Sequence, residues 1–251
     1  MNGRADVSNA QRFQYGSSPV EGLNVYKAKR KNAPVHVFIH GGAWRTGAAE
    51  DYAFIAEAFT GAGADLAILD FASVEMSEGD LSVLADQVHR GVAWIYQNAK
   101  TAFGGDPDAI YLSGHSSGAH LAGCVLVTDW EARGLPTDLV KGAVLCSGMY
   151  DLKPVRLSKR SNYVKFNDEI EDALSAARHI DRLTVPVVIV YGSLETPEFQ
   201  RQSRAFADAI KAKGKSAEIV QAETYNHFDM IELFANPYSV IGHAIGAQMK
   251  L

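Results

Sequence analysis

Tyr111-Leu112-Ser113-Gly114-His115-Ser116-Ser117-Gly118-Ala119-His120-Leu121 decides how this chain is read. Just before it, Ala109 to Leu112 is a short apolar run with strand character. From Ala119 to Thr128 the residues are small and apolar, without proline, and read as a helix. Between the two lies Gly-x-Ser-x-Gly, which holds a serine on a strained turn from strand to helix. Gly114 and Gly118 leave room for strand and helix to cross closely, with Ser116 at the apex.

The rest of the chain supplies a matching framework. Upstream, residues 1 to about 16 are polar and weakly periodic and read as a mobile arm. Gly22 to Ala28 alternates apolar and polar, as a half-exposed edge strand does. Lys27 to Lys31 then reads as a solvated hairpin tip, and Val35 to Ile39 as the next strand. Glu50 to Thr60 has helical spacing, with Phe54, Ile55, Ala58 and Phe59 on one side and Gly61 and Gly63 stopping it. Leu66 to Asp70 is a buried parallel strand by composition. Asp80 to Ala99 is a long amphipathic helix with Asp80 as its N-cap.

Downstream, Gly142 to Ser147, Val185 to Tyr191 and Ala217 to Gln221 read as strands. Phe199 to Lys213 reads as a helix ended by Gly214, and residues 227–250 as closing helices interrupted at Pro237. Residues 148–184, with a helix near Glu169 to Arg178, are too long for a simple crossover and are expected to form a small cap-like insertion. Strands alternating with helices imply an α/β fold: a mostly parallel sheet with helices on both faces.

Composition bounds the function. The chain has 251 residues, 47% hydrophobic and 21% charged, which suits a single α/β domain over 1–251. A net charge of −5 argues against a nucleic-acid partner. Cys124 and Cys146 sit in apolar runs and read as core residues, with no spacing for a disulfide framework or zinc. No apolar run approaches a membrane span, so a cytoplasmic protein with no membrane partner is expected. Whether two copies pair as a homodimer is left open.

In sheets of this kind ligands bind beyond the carboxyl ends of the strands. His40-Gly41-Gly42, Ser116, Glu195 and His227 each lie just past a predicted strand end. A serine needs a base to take its proton, and the base needs a third group to orient it. Ser116, Glu195 and His227 occur in the chain order nucleophile, acid, base. Glu198, beyond Pro197, is expected to start the next helix instead. Asp229 is too near His227 in sequence to face its ring. His115 is expected to point away from the apex, and His120 to be a satisfied structural histidine. An oxyanion would be met by the Ser117 amide at the helix start and by the amides of Gly41 and Gly42. No metal-ligand spacing is present, and no cofactor is expected.

His40-Gly41-Gly42-Ala43-Trp44 together with Gly114-His115-Ser116-Ser117-Gly118-Ala119-His120-Leu121 resembles the arylformamidase (kynurenine formamidase) and carboxylesterase branch of the α/β-hydrolase superfamily. The resemblance implies an α/β-hydrolase fold over nearly the whole chain. It implies Ser116 as nucleophile, Glu195 as acid, His227 as base, and Gly41, Gly42 and Ser117 as oxyanion donors. The chain departs from the branch in having Glu195 where Asp is common. It also has Ala43 and His115 where hormone-sensitive-lipase-like relatives have a third Gly and usually an Asp. The activity implied is hydrolysis of small carboxylic esters or aryl formamides through an acyl-enzyme. The alternative is a hydrolase-fold ligand-binding protein without turnover. Trp44, Tyr150 and Tyr163 are candidates for an aromatic-walled substrate pocket, with packing as the competing role; Phe166 belongs to the same group.

Overall fold

The computed structural model describes residues 10–251. Its centre is an eight-stranded sheet: β1 (Gln11–Gln14), β2 (Gly22–Tyr26), β3 (Pro34–Ile39), β4 (Asp65–Leu69), β5 (Asp106–His115), β6 (Gly142–Cys146), β7 (Val187–Gly192) and β8 (Ala217–Ala222). The spatial order is β1-β2-β4-β3-β5-β6-β7-β8. From β4 to β8 all neighbours are parallel, while β1/β2 and β2/β4 are antiparallel.

Alternation along the strands sorts side chains onto two faces. Val35, Val37 and Ile39 of β3, Ala67 and Leu69 of β4, and Leu145 of β6 enter one buried cluster. Phe38, Leu66, Ile68 and Val144 enter the other. Helices α2 (Leu81–Ala102), α3 (Ser117–Leu126) and α6 (Pro197–Ala212) cover the first face through Leu84, Val88, Leu121 and Phe206. Helices α1 (Ala56–Ala62) and α7 (Val240–Met249) cover the second through Phe59, Ile241 and Ile245. Because both faces are covered, the parallel strands can be apolar throughout.

Local chemistry sets the helix ends. The Asp80 side chain accepts a hydrogen bond from the Ser82 amide and starts α2. Pro197 occupies the first turn of α6, where its missing N–H costs nothing. Gly63 closes α1 in the left-handed conformation, at φ 95°.

Several sequence expectations change. Residues 1–9 of the expected arm lie outside the described residues, but Gln11–Gln14 is the true edge strand, β1. Pairing with it buries β2, which was read as the edge. The run Lys27 to Lys31 is not a hairpin tip, because β2 and β3 are not neighbours; the loop crosses the end of β4. The helix expected over 50–60 is a 3-10 stretch, Ala49–Ile55, running into α1, and it leaves Phe54 45% exposed.

Residues 148–184 hold α4 (Leu152–Arg156), α5 (Asp168–Ala173) and 3-10 turns at Lys159–Asn162, Ala176–Arg178 and Ile180–Arg182. The helix expected to reach Arg178 ends at Ala173. Ser175 Oγ donates to the Glu171 carbonyl and accepts from the Leu152 amide, a local competition that turns the chain. This segment meets the loop after β4 through the Lys165 amide and the Gly79 carbonyl, 2.9 Å apart. Among the described residues no helix is long and apolar enough to cross a membrane.

Candidate active site

The turn at Ser116 is built by close approach. A Cβ on Gly114 would stand 2.6 Å from the Gly118 backbone, and one on Gly118 would stand 2.0 Å from the Ile39 carbonyl oxygen. Only glycine lets β5, α3 and the end of β3 meet there. Ser116 itself has φ 56° and ψ −122°, an unfavourable backbone for a side chain that the surrounding hydrogen bonds impose. Its amide donates to the Cys146 carbonyl on β6 at 2.9 Å, and its carbonyl accepts from the His120 amide.

The turns after β7 and β8 bring two further side chains to this apex. His227 Nε2 lies 2.8 Å from Ser116 Oγ, and His227 Nδ1 lies 2.6 Å from Glu195 Oε1. A carboxylate only accepts, so the proton sits on Nδ1 and leaves the Nε2 lone pair for the serine hydroxyl. The Glu195 side chain is fully buried. The two turns are sewn together: the Leu194 amide donates to the Tyr225 carbonyl, and the Thr224 amide to Ser193 Oγ. Glu198 lies in the first turn of α6 and is held by Arg201, away from His227. Asp229 accepts from the Asn226 side chain.

The His227 ring is enclosed on several sides. Phe199 stacks on it at 4.2 Å between centroids, and Phe228, 83% exposed, meets it edge-on at 5.7 Å. The His115 ring is 4.9 Å away, and His115 Nε2–H donates to the His227 carbonyl at 2.9 Å. His115 was expected to point elsewhere. Burial, with the charge of His227 second, pushes its pKa down to about 3, so it stays a neutral donor.

The His40-Gly41-Gly42 turn lies against the same apex. A Cβ on Gly41 would stand 2.9 Å from the His115 carbonyl and 3.4 Å from Ser116 Cβ. Gly42, Ala43 and Trp44 all have positive φ, at 108°, 57° and 63°. The turn is closed by the Arg45 and Thr46 amides on the Gly42 carbonyl. His40 stacks between Phe71 and Tyr52, and its Nδ1–H donates to the Gly41 carbonyl. The Trp44 amide donates to Ser117 Oγ at 3.2 Å, which ties this turn to α3. Among the described residues the amides of Gly41, Gly42 and Ser117 donate to no protein acceptor. Free N–H groups beside a serine at a helix start suit a developing oxyanion.

The pocket candidates divide. Trp44 is not at a pocket mouth: it is 2% exposed and its indole N–H donates to His120 Nδ1 at 3.2 Å. Three successive positive-φ residues, Gly42 to Trp44, reverse the chain and send the indole inward. His120 Nε2–H donates in turn to the Leu174 carbonyl, the expected structural role. Tyr150 is likewise core, 1% exposed and stacked on Phe206 at 4.2 Å. Tyr163 is half-buried in the 148–184 segment, with Arg45 over its ring at 4.7 Å and its hydroxyl accepting from Arg160. Phe199 and Arg160 were missed by sequence reading. Phe199 carries no motif, and only its position one turn into a helix following the acid turn could have pointed to it.

The BD-FAE family model matches residues 23–139. Kynurenine formamidase of Danio rerio is 29% identical over 225 residues, covering 87% of this chain and 74% of that protein. The isoprenylcysteine alpha-carbonyl methylesterase ICME of Arabidopsis thaliana is 27% identical over 261 residues, covering 90% of this chain and 60% of the relative. Among solved structures, Thermogutta terrifontis esterase 2 superposes with a TM-score of 0.75 at 22% identity, over 100% of this chain and 94% of its own. The chain has the α/β-hydrolase fold and is similar to the formamidase and esterase branch of that superfamily.

Proposed function

We propose that this protein is a serine hydrolase that cleaves small carboxylic esters or aryl formamides through an acyl-enzyme on Ser116. The observation that carries the reading is the continuous path from Ser116 Oγ to His227 Nε2 at 2.8 Å and from His227 Nδ1 to Glu195 at 2.6 Å. In this reading Ser116 Oγ attacks the carbonyl carbon while His227 Nε2 takes its proton. The carbonyl oxygen becomes an oxyanion beside the amides of Gly41, Gly42 and Ser117. Collapse of the intermediate expels the alcohol or aryl amine, which takes the proton back from His227. Water then attacks the acyl carbon, with His227 again as base. This frees the carboxylic acid, which is formate for a formamide, and restores Ser116. Glu195 accepts from His227 Nδ1–H and holds the imidazole in the required tautomer. Residues 148–184 act as a small cap whose Tyr163 and Arg160 border the substrate.

The test is hydrolysis of 4-nitrophenyl acetate by the wild type and by Ser116→Ala. Loss of turnover on the order of 10⁴-fold is expected; full activity in the variant would end the reading. Labelling of Ser116 by a fluorophosphonate separates turnover from a ligand-binding protein without it, because only an activated serine reacts. Comparing N-formylkynurenine with 4-nitrophenyl acetate distinguishes formamidase from general esterase preference.

A further inference from the structure

A groove of about 360 Å³ adjoins the proposed catalytic residues, lined by Met149, Val155, Lys159, Arg160 and Phe199 among others. Phe199 is shared with the site, since the same ring stacks on His227. The groove therefore lies next to His227, across the Phe199 ring.

Its charge is unbalanced. Arg156 is paired with Asp168 and Glu171, and Arg178 with Glu171, Asp151 and Asp172. Arg45 is paired with Glu75. Glu198, the one acidic residue in the groove lining, accepts from Arg201 Nε and Nη2 at 2.8 and 2.7 Å and from Gln202 at 3.1 Å. Among the described residues, Lys159 and Arg160 have no carboxylate partner.

Arg160 is nonetheless held. Its guanidinium lies over the Trp44 ring, 5.6 Å from the centroid, and donates to the Tyr163 hydroxyl at 3.3 Å. Trp44 immediately follows the glycine turn, so the cation is fixed between that turn and the groove. A half-buried arginine oriented by an aromatic face and a hydroxyl, but given no counter-charge, is arranged to meet an anion that arrives with the ligand.

We infer that Arg160, supported by Lys159, is a specificity-determining residue that recognises a carboxylate on the substrate, away from the bond cleaved. This rests on the hydrolase reading and narrows it to esters or formamides that carry a free carboxylate. The apolar walls from Met149, Val155 and Phe199 fit an aryl or alkyl body between the two ends.

The experiment is calorimetric titration of the protein with 4-phenylbutanoate and with 4-phenylbutanamide, which differ in charge but hardly in shape. Wild type is expected to bind the acid about tenfold or more tighter than the amide. Arg160→Gln is expected to remove most of that preference by weakening the acid, while Arg160→Lys keeps part of it. In wild type the preference should also shrink as sodium chloride is raised. Equal affinity for the two ligands in wild type overturns the inference, as does a preference that survives Arg160→Gln. Binding of inorganic phosphate without binding of the acid overturns it as well. Turnover of 4-nitrophenyl acetate by wild type reports separately on the hydrolase reading, so the two can fail independently.

Discussion

The side chain that precedes the apex serine is hydrogen-bonded to the backbone of the histidine that faces that serine: His115 Nε2 and the His227 carbonyl oxygen are 2.9 Å apart. The loop after β8 is thereby anchored to the turn after β5, across the sheet. An imidazole that must stand 2.8 Å from a hydroxyl gains from a backbone that cannot drift. His115→Leu should therefore lower kcat on 4-nitrophenyl acetate by roughly 10- to 100-fold with little change in KM. His115→Gln, which can place an N–H near the same carbonyl, should recover most of the loss. Equal defects in the two variants would mean that packing alone is at stake.

Glu195 is the buried partner of His227, and Glu198 is spoken for by Arg201. Glu195→Gln keeps the shape but presents an amide that can favour the wrong tautomer of His227. A fall in kcat on the order of 10²- to 10⁴-fold is expected, measured on the same ester. An activity near wild type would remove Glu195 from the proposed mechanism.

The elbow leaves no space for a methyl group. In Gly114→Ala the new Cβ would stand 2.6 Å from the Gly118 backbone, which is not a flexible side-chain tip that can move aside. Destabilisation of about 3 kcal/mol or more is expected in urea unfolding. Gly61→Ala is the control, because nothing lies within 4 Å of its added Cβ. A similar midpoint for the two variants would contradict the close crossing.

Five buried histidines link stability to pH, His40 among them, its pKa also lowered by burial. Burial is the first cause in each case: His36 and His115 are pushed down to about 3, His89 and His120 to about 4, from the ordinary 6.5. The unfolded chain thus binds protons near pH 6.5 that the folded protein refuses. The stability from these groups is complete above about pH 6.5 and is lost as pH falls toward 4 and 3. Between pH 7 and pH 5 unfolding free energy should drop on the order of 1–2 kcal/mol per histidine, followed by urea midpoints. This window lies above the ordinary carboxylate range, so most Asp and Glu contribute little to it, while Asp65, whose pKa burial raises, works in the opposite direction. A flat profile from pH 7 to 5 would refute the assignment.

What could be read from the chain alone was whatever depends on near neighbours in sequence. Gly-x-Ser-x-Gly between an apolar run and a small-residue helix announces a strained turn, because the steric demand is met within five residues. Strand and helix periods announce a covered, mostly parallel sheet, because apolar alternation is a property of each segment. Each strand end then marks a place where a side chain can reach the common edge, which singled out Ser116, Glu195, His227 and the His40-Gly41-Gly42 turn. Only the tertiary structure decided which of the nearby residues turn inward. Trp44 and Tyr150 look like pocket residues in sequence but satisfy the core, because burial depends on α3 and α6 packing over them. His115 meets His227, and Phe199 stacks on it, because the turns after β5, β7 and β8 converge in space from positions 112 and 28 residues apart along the chain. β2 became an inner strand because four residues of β1 came back to pair with it. The unpaired charge of Arg160 is of the same kind: a sequence shows that an arginine is present, but only the folded protein shows which carboxylates have already been claimed.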